Sequence, residues 1–531
     1  MQVYAATLAE LVRDVAQRNG VKPALIFADT RISYAELNAQ IEHAANGLAT
    51  RGVAKGDRIA LLVPNIPEFI VAYYAILRLG AIVVPINVLF KAEEITYVLQ
   101  DSEANALILF AGFAPQGIAA VERVPSVSNV IVVGDVATRG TISWEALTDA
   151  SAPRRSPFKV TPSDIAAICY TSGTTGRCKG AMLTHRNFIA NCEQMERMQR
   201  GCARESDVLL LVLPLFHIYA MNCAMNAFFR AGATIVLIRR FDALQVLELI
   251  QQHRCTMFHG APPMYITWAN TPTVGGYDLS SMRFACSGAA PLPVQVLDRF
   301  HTVTGVEITE GYGLTETSPV THFNCAAAVS KPGTVGPPIP GVEVRLVDDE
   351  DRDVTPGEPG EIICRGENIT IGYWRNPAAT AEAMRNGWFH TGDIATIDED
   401  GYYSIVDRKK DMINSGGFKV WPREVEEVLF KHPAVREAAV VAMPDAYWGE
   451  RPIAFIALKD RQSATQEELI AYCKEYLACY KAPYLVTFRD ELPKSSTGKV
   501  LRRVLREEAR QLTPAAGRRL YNSPASQPPT A

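Results

Sequence analysis

The segment "YTSGTTGRCKG", Tyr170 to Gly180, gathers four small hydroxylated residues (Thr171, Ser172, Thr174, Thr175), three glycines and two cations, Arg177 and Lys179. It follows directly on the apolar run "AAIC", which reads as a buried strand. Small residues let backbone N–H groups approach a ligand closely. The hydroxyls add donors, and Lys179 adds a mobile positive charge. Phosphate oxygens match that supply of donors. The spacing is not that of the P-loop NTPases, because Lys179 follows Gly176 by three residues rather than one. A flexible surface loop is the other reading of the same composition.

Further stretches of small and charged residues follow in order: "EGYGLTETSP" (Glu310 to Pro319), "HTGD" (His390 to Asp393), "DRKKDMINSGGFKVWPREVE" (Asp407 to Glu426) and "PKSSTGKVLRR" (Pro493 to Arg503). With these motifs the chain resembles the adenylate-forming superfamily of acyl-CoA synthetases, peptide-synthetase adenylation domains and beetle luciferases, over about residues 5–510. The resemblance implies a large N-terminal domain and a small C-terminal domain that swings about a hinge. It also implies a reaction in two halves. A carboxylate attacks the α-phosphate of ATP, giving an acyl-adenylate and pyrophosphate, and a thiol then displaces AMP. A carboxylate is a poor electrophile, and adenylation supplies it with a stabilised leaving group. The protein must therefore manage negative charge at each step.

What the resemblance implies for each residue follows from the motif it occupies. Thr171, Ser172, Gly173, Thr174, Thr175, Gly176 and Lys179 match the loop that holds the β- and γ-phosphates, with Cys178 where proline is commoner. Glu316 matches the Mg²⁺ ligand, with Thr175 beside it, and one carboxylate plus substrate phosphates is a typical Mg²⁺ set. Thr315 is expected to donate to the α-phosphate. Ser287, Gly288, Ala289 and Ala290, with Glu310, Gly311, Tyr312 and Gly313, are expected around the nucleotide, Tyr312 against the adenine. Asp393 is expected to accept from both ribose hydroxyls, and Arg408 to contact ribose or phosphate. Lys410 aligns with the hinge, where backbone torsions change between half-reactions. Lys499 matches the lysine that bridges the α-phosphate and the substrate carboxylate. Ser415, Gly416, Gly417 and Phe418 match the region that admits the pantetheine arm of CoA. His217 is expected near the acyl carboxylate. Read without their motifs, Glu316 and Arg408 would be solvated charges, Tyr312 and His217 core packing, and Lys499 a surface cation.

The acyl pocket is expected among Phe216, His217, Ile218, Tyr219, Met221, His259, Gly260 and Cys286, which are mostly apolar. Between residues 207 and 320 the chain is also similar to plant 4-coumarate:CoA ligases. It departs from many of them at Cys286 and Asn414, where a lysine is common, and both departures resemble bacterial fatty-acyl-CoA ligases. The resulting expectation is a Mg²⁺-dependent ligase joining a medium- or long-chain fatty acid to CoA with ATP. An aryl or alicyclic acid, or a carrier protein as acceptor, is the alternative. "PKSSTGK" also fits a pattern of lysine acetylation in related bacterial ligases. A lysine acetyltransferase acting on Lys499, and a second copy of the chain, are the macromolecular partners weighed.

These residues need a scaffold. The chain has 531 residues, 48% hydrophobic and 21% charged, with a net charge of −4. That is too long for one ordinary core and gives no sign of bulk attraction to nucleic acid. Short apolar runs such as "RIALLVP", "AIVVPIN" and "DVLLLVLP" alternate with helical patterns from residue 30 past residue 300, which predicts α/β architecture with parallel sheets covered on both faces. After Gly333, short strands between Gly, Pro and Asp turns predict an antiparallel or barrel-like portion, and from about Asn414 a small α+β domain. We expect an AMP-binding domain over residues 1–409, a mobile domain over 410–512 and a disordered tail over 513–531. "TLAELVRDVAQR" reads as a docking helix presenting Leu8, Leu11, Val12 and Val15, not as an export signal. The long apolar stretch Val208 to Phe229 reads as strand, loop and buried helix, because Pro214 interrupts it and His217, Asn222 and Asn226 would need partners in lipid. The eleven cysteines include no CxxC pair, which suits reduced thiols and a cytoplasmic protein.

Overall fold

The computed structural model describes residues 5–135, 140–149, 158–171, 178–271, 273–445, 447–495 and 498–512. Ser172, Gly173, Thr174, Thr175 and Gly176 of the glycine loop, and the expected tail 513–531, lie outside the described residues. The described chain forms two compact units: residues up to Ile405 together with Gly498 and Lys499, and Val406 to Ser495 together with the residues from Val500 onward.

Continuous apolar runs give the larger unit its two main sheets. The first has seven strands in the order Ile142–Ser143, Asn129–Val133, Ala106–Phe110, Arg58–Leu62, Ile82–Pro85, Ile165–Thr171 and Lys179–Thr184, parallel until the last pair. The second has eight, in the order Val320–Phe323, Ile308–Gly313, Phe284–Ser287, Met257–Gly260, Val208–Leu211, Thr234–Leu237, Pro23–Phe27 and Thr30–Ser33, with antiparallel pairs only at its ends. Side chains alternate across each strand. Ile59, Leu61 and Ile108 of the first sheet thus share one core with Leu209, Leu211 and Ile235 of the second. Their neighbours Ala60 and Leu107, and Leu210 and Val236, enter two outer cores. Helix Pro67–Arg78 buries every residue from Phe69 to Arg78, as a helix enclosed on all sides must. The amino-terminal helix Leu8–Asn19 buries Leu8, Leu11, Val12 and Val15.

The apolar stretch after Val208 is strand Val208–Leu211, a loop, a π-helix Tyr219–Asn226 and a short α-helix Ala227–Ala231. The expected buried helix thus begins as a π-helix, and it carries two buried amides. Asn222 donates to the carbonyls of Phe188 (3.2 Å) and Ser318 (2.6 Å), and Asn226 accepts from the Tyr74 hydroxyl at 2.7 Å. Among the described residues no helix is long and apolar enough to cross a membrane.

A third sheet follows, with antiparallel pairs along Glu343–Val347, Gly360–Arg365, Trp388–Ile397 and Met384–Arg385, and with Tyr403–Arg408 beside Trp388–Ile397. In the smaller unit, strands Val435–Asp445 and Gly449–Leu458 form a long antiparallel pair. Ile413–Ser415, Phe418–Val420 and Leu485–Phe488 extend the sheet, and helices Pro422–Lys431, Gln466–Tyr476 and Arg502–Gln511 accompany it. All eleven cysteines are free thiols.

Candidate active site

The described ends of the glycine loop are the last residues of a strand pair in which Thr171 lies opposite Lys179. Two tyrosines fix this hairpin end. Tyr170 donates to Asp101 Oδ2 at 2.6 Å, and Tyr97 donates to the Cys178 carbonyl at 2.8 Å. Glu316 comes to the same place on the short turn Thr315–Thr317 and is 7% exposed. Its Oε1 accepts from the Thr171 hydroxyl (3.4 Å) and from the Tyr373 hydroxyl (2.9 Å). The Lys179 ammonium lies 5.3 Å from the centre of the Tyr373 ring, within cation–π range. Burial, then the Glu316 charge, pushes the Tyr373 phenol above its ordinary range, so it stays a donor. Sequence reasoning did not single out Tyr373. It lies in "IGYWRN", and only the fold carries it to Glu316.

Two residues expected at the nucleotide, Tyr312 and Asp393, meet directly. Tyr312, on strand Ile308–Gly313, donates to Asp393 Oδ2 at 2.7 Å. Burial, followed by the charge of Asp393, holds that phenol protonated as well. Asp393 is buried within strand Trp388–Ile397, next to Gly392, which has φ +71° and whose amide donates to Glu361 at 3.1 Å. Glu310 accepts from the Leu292 amide at 3.1 Å, which ties the strand to the Ser287–Ala290 segment. Within that segment Ala289 takes φ +72°, a costly conformation for a residue with a side chain and one that collects at functional sites. Gly311 and Gly313 have a packing reason. A Cβ on Gly311 would sit 2.3 Å from the Phe323 ring, and one on Gly313 1.8 Å from the Pro319 carbonyl. The neighbouring chain thus demands both glycines, whatever they do for a nucleotide.

Tyr219, His259, Gly260 and Cys286, four of the residues expected around the acyl group, meet. The Tyr219 hydroxyl is 3.1 Å from Cys286 Sγ, and its ring stacks on His259 with centroids 5.9 Å apart. Tyr265 donates to the Cys286 carbonyl at 2.7 Å and passes so close to Gly260 that a Cβ there would lie 2.9 Å from its ring. His217 Nδ1 accepts from the Tyr219 amide at 3.2 Å. Burial, and then the positive charge of Lys499, lower the His217 pKa to about 4, so its imidazole is neutral at pH 7. Ile218 and Met221 are buried in the shared core, and Phe216 packs against it. Lys499 sits on a loop whose base is closed by the Lys494–Val500 bridge and by the Leu501 amide donating to the Pro493 carbonyl at 2.8 Å.

The remaining expected residues belong to the smaller unit. Arg408 ends strand Tyr403–Arg408 and Lys410 lies in the turn Lys409–Asp411. Ser415 leads into a turn made by Gly416 (φ +61°) and Gly417 (φ +90°). A Cβ on Gly416 would strike Trp448 at 2.5 Å, whereas the space over Gly417 is open within 4 Å. Phe418 follows, 41% exposed, stacked on Tyr480 at 4.6 Å. Arg502 joins these parts. It pairs with both oxygens of Glu426 (2.7 Å each), with Asp407 (3.0 Å) and with Asp411 (3.5 Å), while Arg506 also pairs with Asp411.

Among the described residues no group of three His, Cys, Asp or Glu side chains gathers as a metal cage. A lone carboxylate flanked by hydroxyls, as at Glu316, suits a hard cation that takes the rest of its shell from phosphate and water.

Residues 12–374 match the family model "AMP-binding enzyme", and residues 424–499 match "AMP-binding enzyme C-terminal domain". A long-chain-fatty-acid–CoA ligase of Bacillus subtilis (strain 168) is 37% identical over 528 residues, covering 94% of each chain. A feruloyl-CoA synthase of an Amycolatopsis species is 38% identical over 479 residues, covering 89% of this chain and 93% of that one. Among solved structures, the anthranilate CoA ligase AuaEII in complex with anthranoyl-AMP superposes with a TM-score of 0.89 at 30% identity, covering 96% of this chain and 98% of that chain. The family models and relatives, which cover most of the chain, show the class. The chain belongs to the AMP-binding enzyme family, within the adenylate-forming superfamily, as an AMP-forming acid–thiol ligase of the acyl-CoA synthetase kind.

Proposed function

We propose that the chain activates a medium- or long-chain fatty acid and transfers it to CoA. The observation that carries this reading is an acyl side without charge. Cys286 stands there, its thiol pushed well above its ordinary range by burial. His217 and His259, both lowered to about 4 chiefly by burial, are neutral at pH 7. A hydrophobic tail loses nothing by entering such a wall, whereas a second charge would be left without compensation. Relatives named long-chain-fatty-acid–CoA ligases, at 37% and 39% identity, support the same reading.

In this account Glu316, with Thr175 as its partner, would hold Mg²⁺, which when bound would supply charge neutralisation at the phosphates. Lys179 and the glycine loop hold the β- and γ-phosphates, while Asp393 and Tyr312 hold the nucleoside. Lys499 then draws the acid's carboxylate and the α-phosphate together. A carboxylate oxygen forms the bond to phosphorus, and the bond to the pyrophosphate oxygen breaks. In the second half CoA enters past Ser415–Phe418. Its sulfur attacks the acyl carbon, AMP leaves with the oxygen, and the thiol proton passes to solvent. Arg408 contacts the nucleotide, and Lys410 is the pivot between halves.

The test is a panel of straight-chain, aryl and alicyclic acids, reading both pyrophosphate and acyl-CoA. The reading expects kcat/KM to rise with aliphatic chain length. A highest value for an aryl acid would overturn it in favour of the second reading, an aryl-CoA ligase, which the Tyr219–His259 stack and the feruloyl-CoA relative favour. Thioester formed on a phosphopantetheinyl carrier but not on CoA would move the acceptor instead.

A further inference from the structure

His259 lies on strand Met257–Gly260 among several rings. Tyr219 is stacked on it at 5.9 Å with 21° between the rings. Phe228 meets it edge-on at 5.5 Å, and Phe284 meets it at 6.5 Å and 69°. These rings border a cavity of about 20 Å³ whose lining includes Met195, Met198, Phe228, Phe284, His259 and Cys223. Gly201, Cys202 and Ala203, also in the lining, are half-exposed.

This space has room for one water, and its lining carries the Glu196 side chain and the thiols of Cys192, Cys202 and Cys223 beside the His259 imidazole. His259 is 4% exposed, its Nδ1 lies 3.9 Å from Cys223 Sγ, and among the described residues its Nε2 has no hydrogen-bond partner. A well-packed core would place an aliphatic side chain there, because an unpaired buried nitrogen carries a desolvation cost. Gly201 keeps the lining thin, since a Cβ there would lie 2.9 Å from the Phe284 ring. The two methionines are the side chains best able to rearrange around a guest.

We propose that His259 is the closing wall between the acyl pocket and this rear cavity, and that it sets the longest tail the enzyme accepts. The proposal rests on the placement of the acyl pocket at Tyr219 given above. A tail that enters along Tyr219 runs end-on into the imidazole. Removing the ring joins the pocket to the cavity and makes space for roughly two more carbons at protein packing density.

The experiment measures kcat/KM for pyrophosphate release by the purified full chain on two ladders, straight-chain acids and 4-alkylbenzoates of increasing alkyl length. His259→Ala is expected to shift the optimum to longer members, with a gain of roughly tenfold or more on the first acid beyond the wild-type limit, the scale of one methylene in a pocket. His259→Leu, of similar volume, is expected to leave the limit in place. Adding Cys223→Leu to His259→Ala refills the opening and is expected to restore the wild-type limit, which general loosening of the core would not do. Should His259→Ala not fold, His259→Asn makes the same opening and is read the same way. An unchanged limit in the folded small-residue variants, or a shift that Cys223→Leu does not reverse, overturns the proposal. Wild-type turnover of the benzoates alone would sink the fatty-acid reading, while the shift along that ladder would still decide the role of His259.

Discussion

Glu316 shows how one side chain acquires a role through its neighbours. On the surface it would be an ordinary carboxylate. Here it is buried, and two hydroxyls, Thr171 and Tyr373, orient one of its oxygens. A hydrogen bond to a charged group is worth about 1.5–3 kcal/mol, so Tyr373→Phe is expected to lower the rate of pyrophosphate release by roughly tenfold, mostly through weaker use of metal–ATP. Titrating Mg²⁺ and ATP in the variant checks this, and an unchanged rate and metal dependence would remove Tyr373 from the site. Motif order made Glu316, Asp393 and Lys499 legible in the sequence. Tyr373 was not, because a lone tyrosine in a turn has no local signal, and its partner stands 57 positions away. Gly311 and Gly313 carried the opposite hazard. Their motif suggests contact with a nucleotide, but Phe323 and Pro319 already exclude any side chain at either position.

At the scale of the element, the strands were readable because buried parallel strands are unbroken apolar runs. The π-helix Tyr219–Asn226 was not, since an apolar run gives no period by which one kind of helix can be told from another. The charge cluster of helix Arg502–Gln511 was equally invisible. In the sequence, "DRKKD" and "KVLRR" are charge runs. In the fold, Arg502 is shared by Asp407, Asp411 and Glu426. Those carboxylates flank the expected pivot Lys410 and anchor helix Pro422–Lys431, so one guanidinium ties the segment after Ile405 to the helix that follows the Lys499 loop. Burial raises the Glu426 pKa even with Arg502 beside it, which marks how little water reaches the cluster. Removing one member of a mostly buried cluster strands the others. Arg502→Ala is therefore expected to destabilise the smaller unit by on the order of 3 kcal/mol. Urea unfolding followed through Trp421 and Trp448 measures it, and a loss well under 1 kcal/mol would mean that the cluster is solvated and structurally idle.

For the molecule as a whole, the residues proposed for the site fall in both compact units. The larger one holds the described end of the glycine loop, Glu316, Tyr312, Asp393 and the acyl wall, and the smaller one holds Arg408, Lys410 and the Ser415–Phe418 turn. Lys499 links them in sequence, and its charge is felt at His217. A neutral histidine near an incoming carboxylate leaves the attractive charge to the lysine, which an electrostatic role in one half-reaction requires. The half-reactions of Lys499→Ala test this most directly. Losing one preorganised charge at a developing transition state costs on the order of 10²–10³ in rate. Pyrophosphate release from acid and ATP is expected to fall by that factor, while conversion of supplied acyl-adenylate and CoA to the thioester proceeds at the wild-type rate. Equal loss in both assays, or none in the first, would contradict the account.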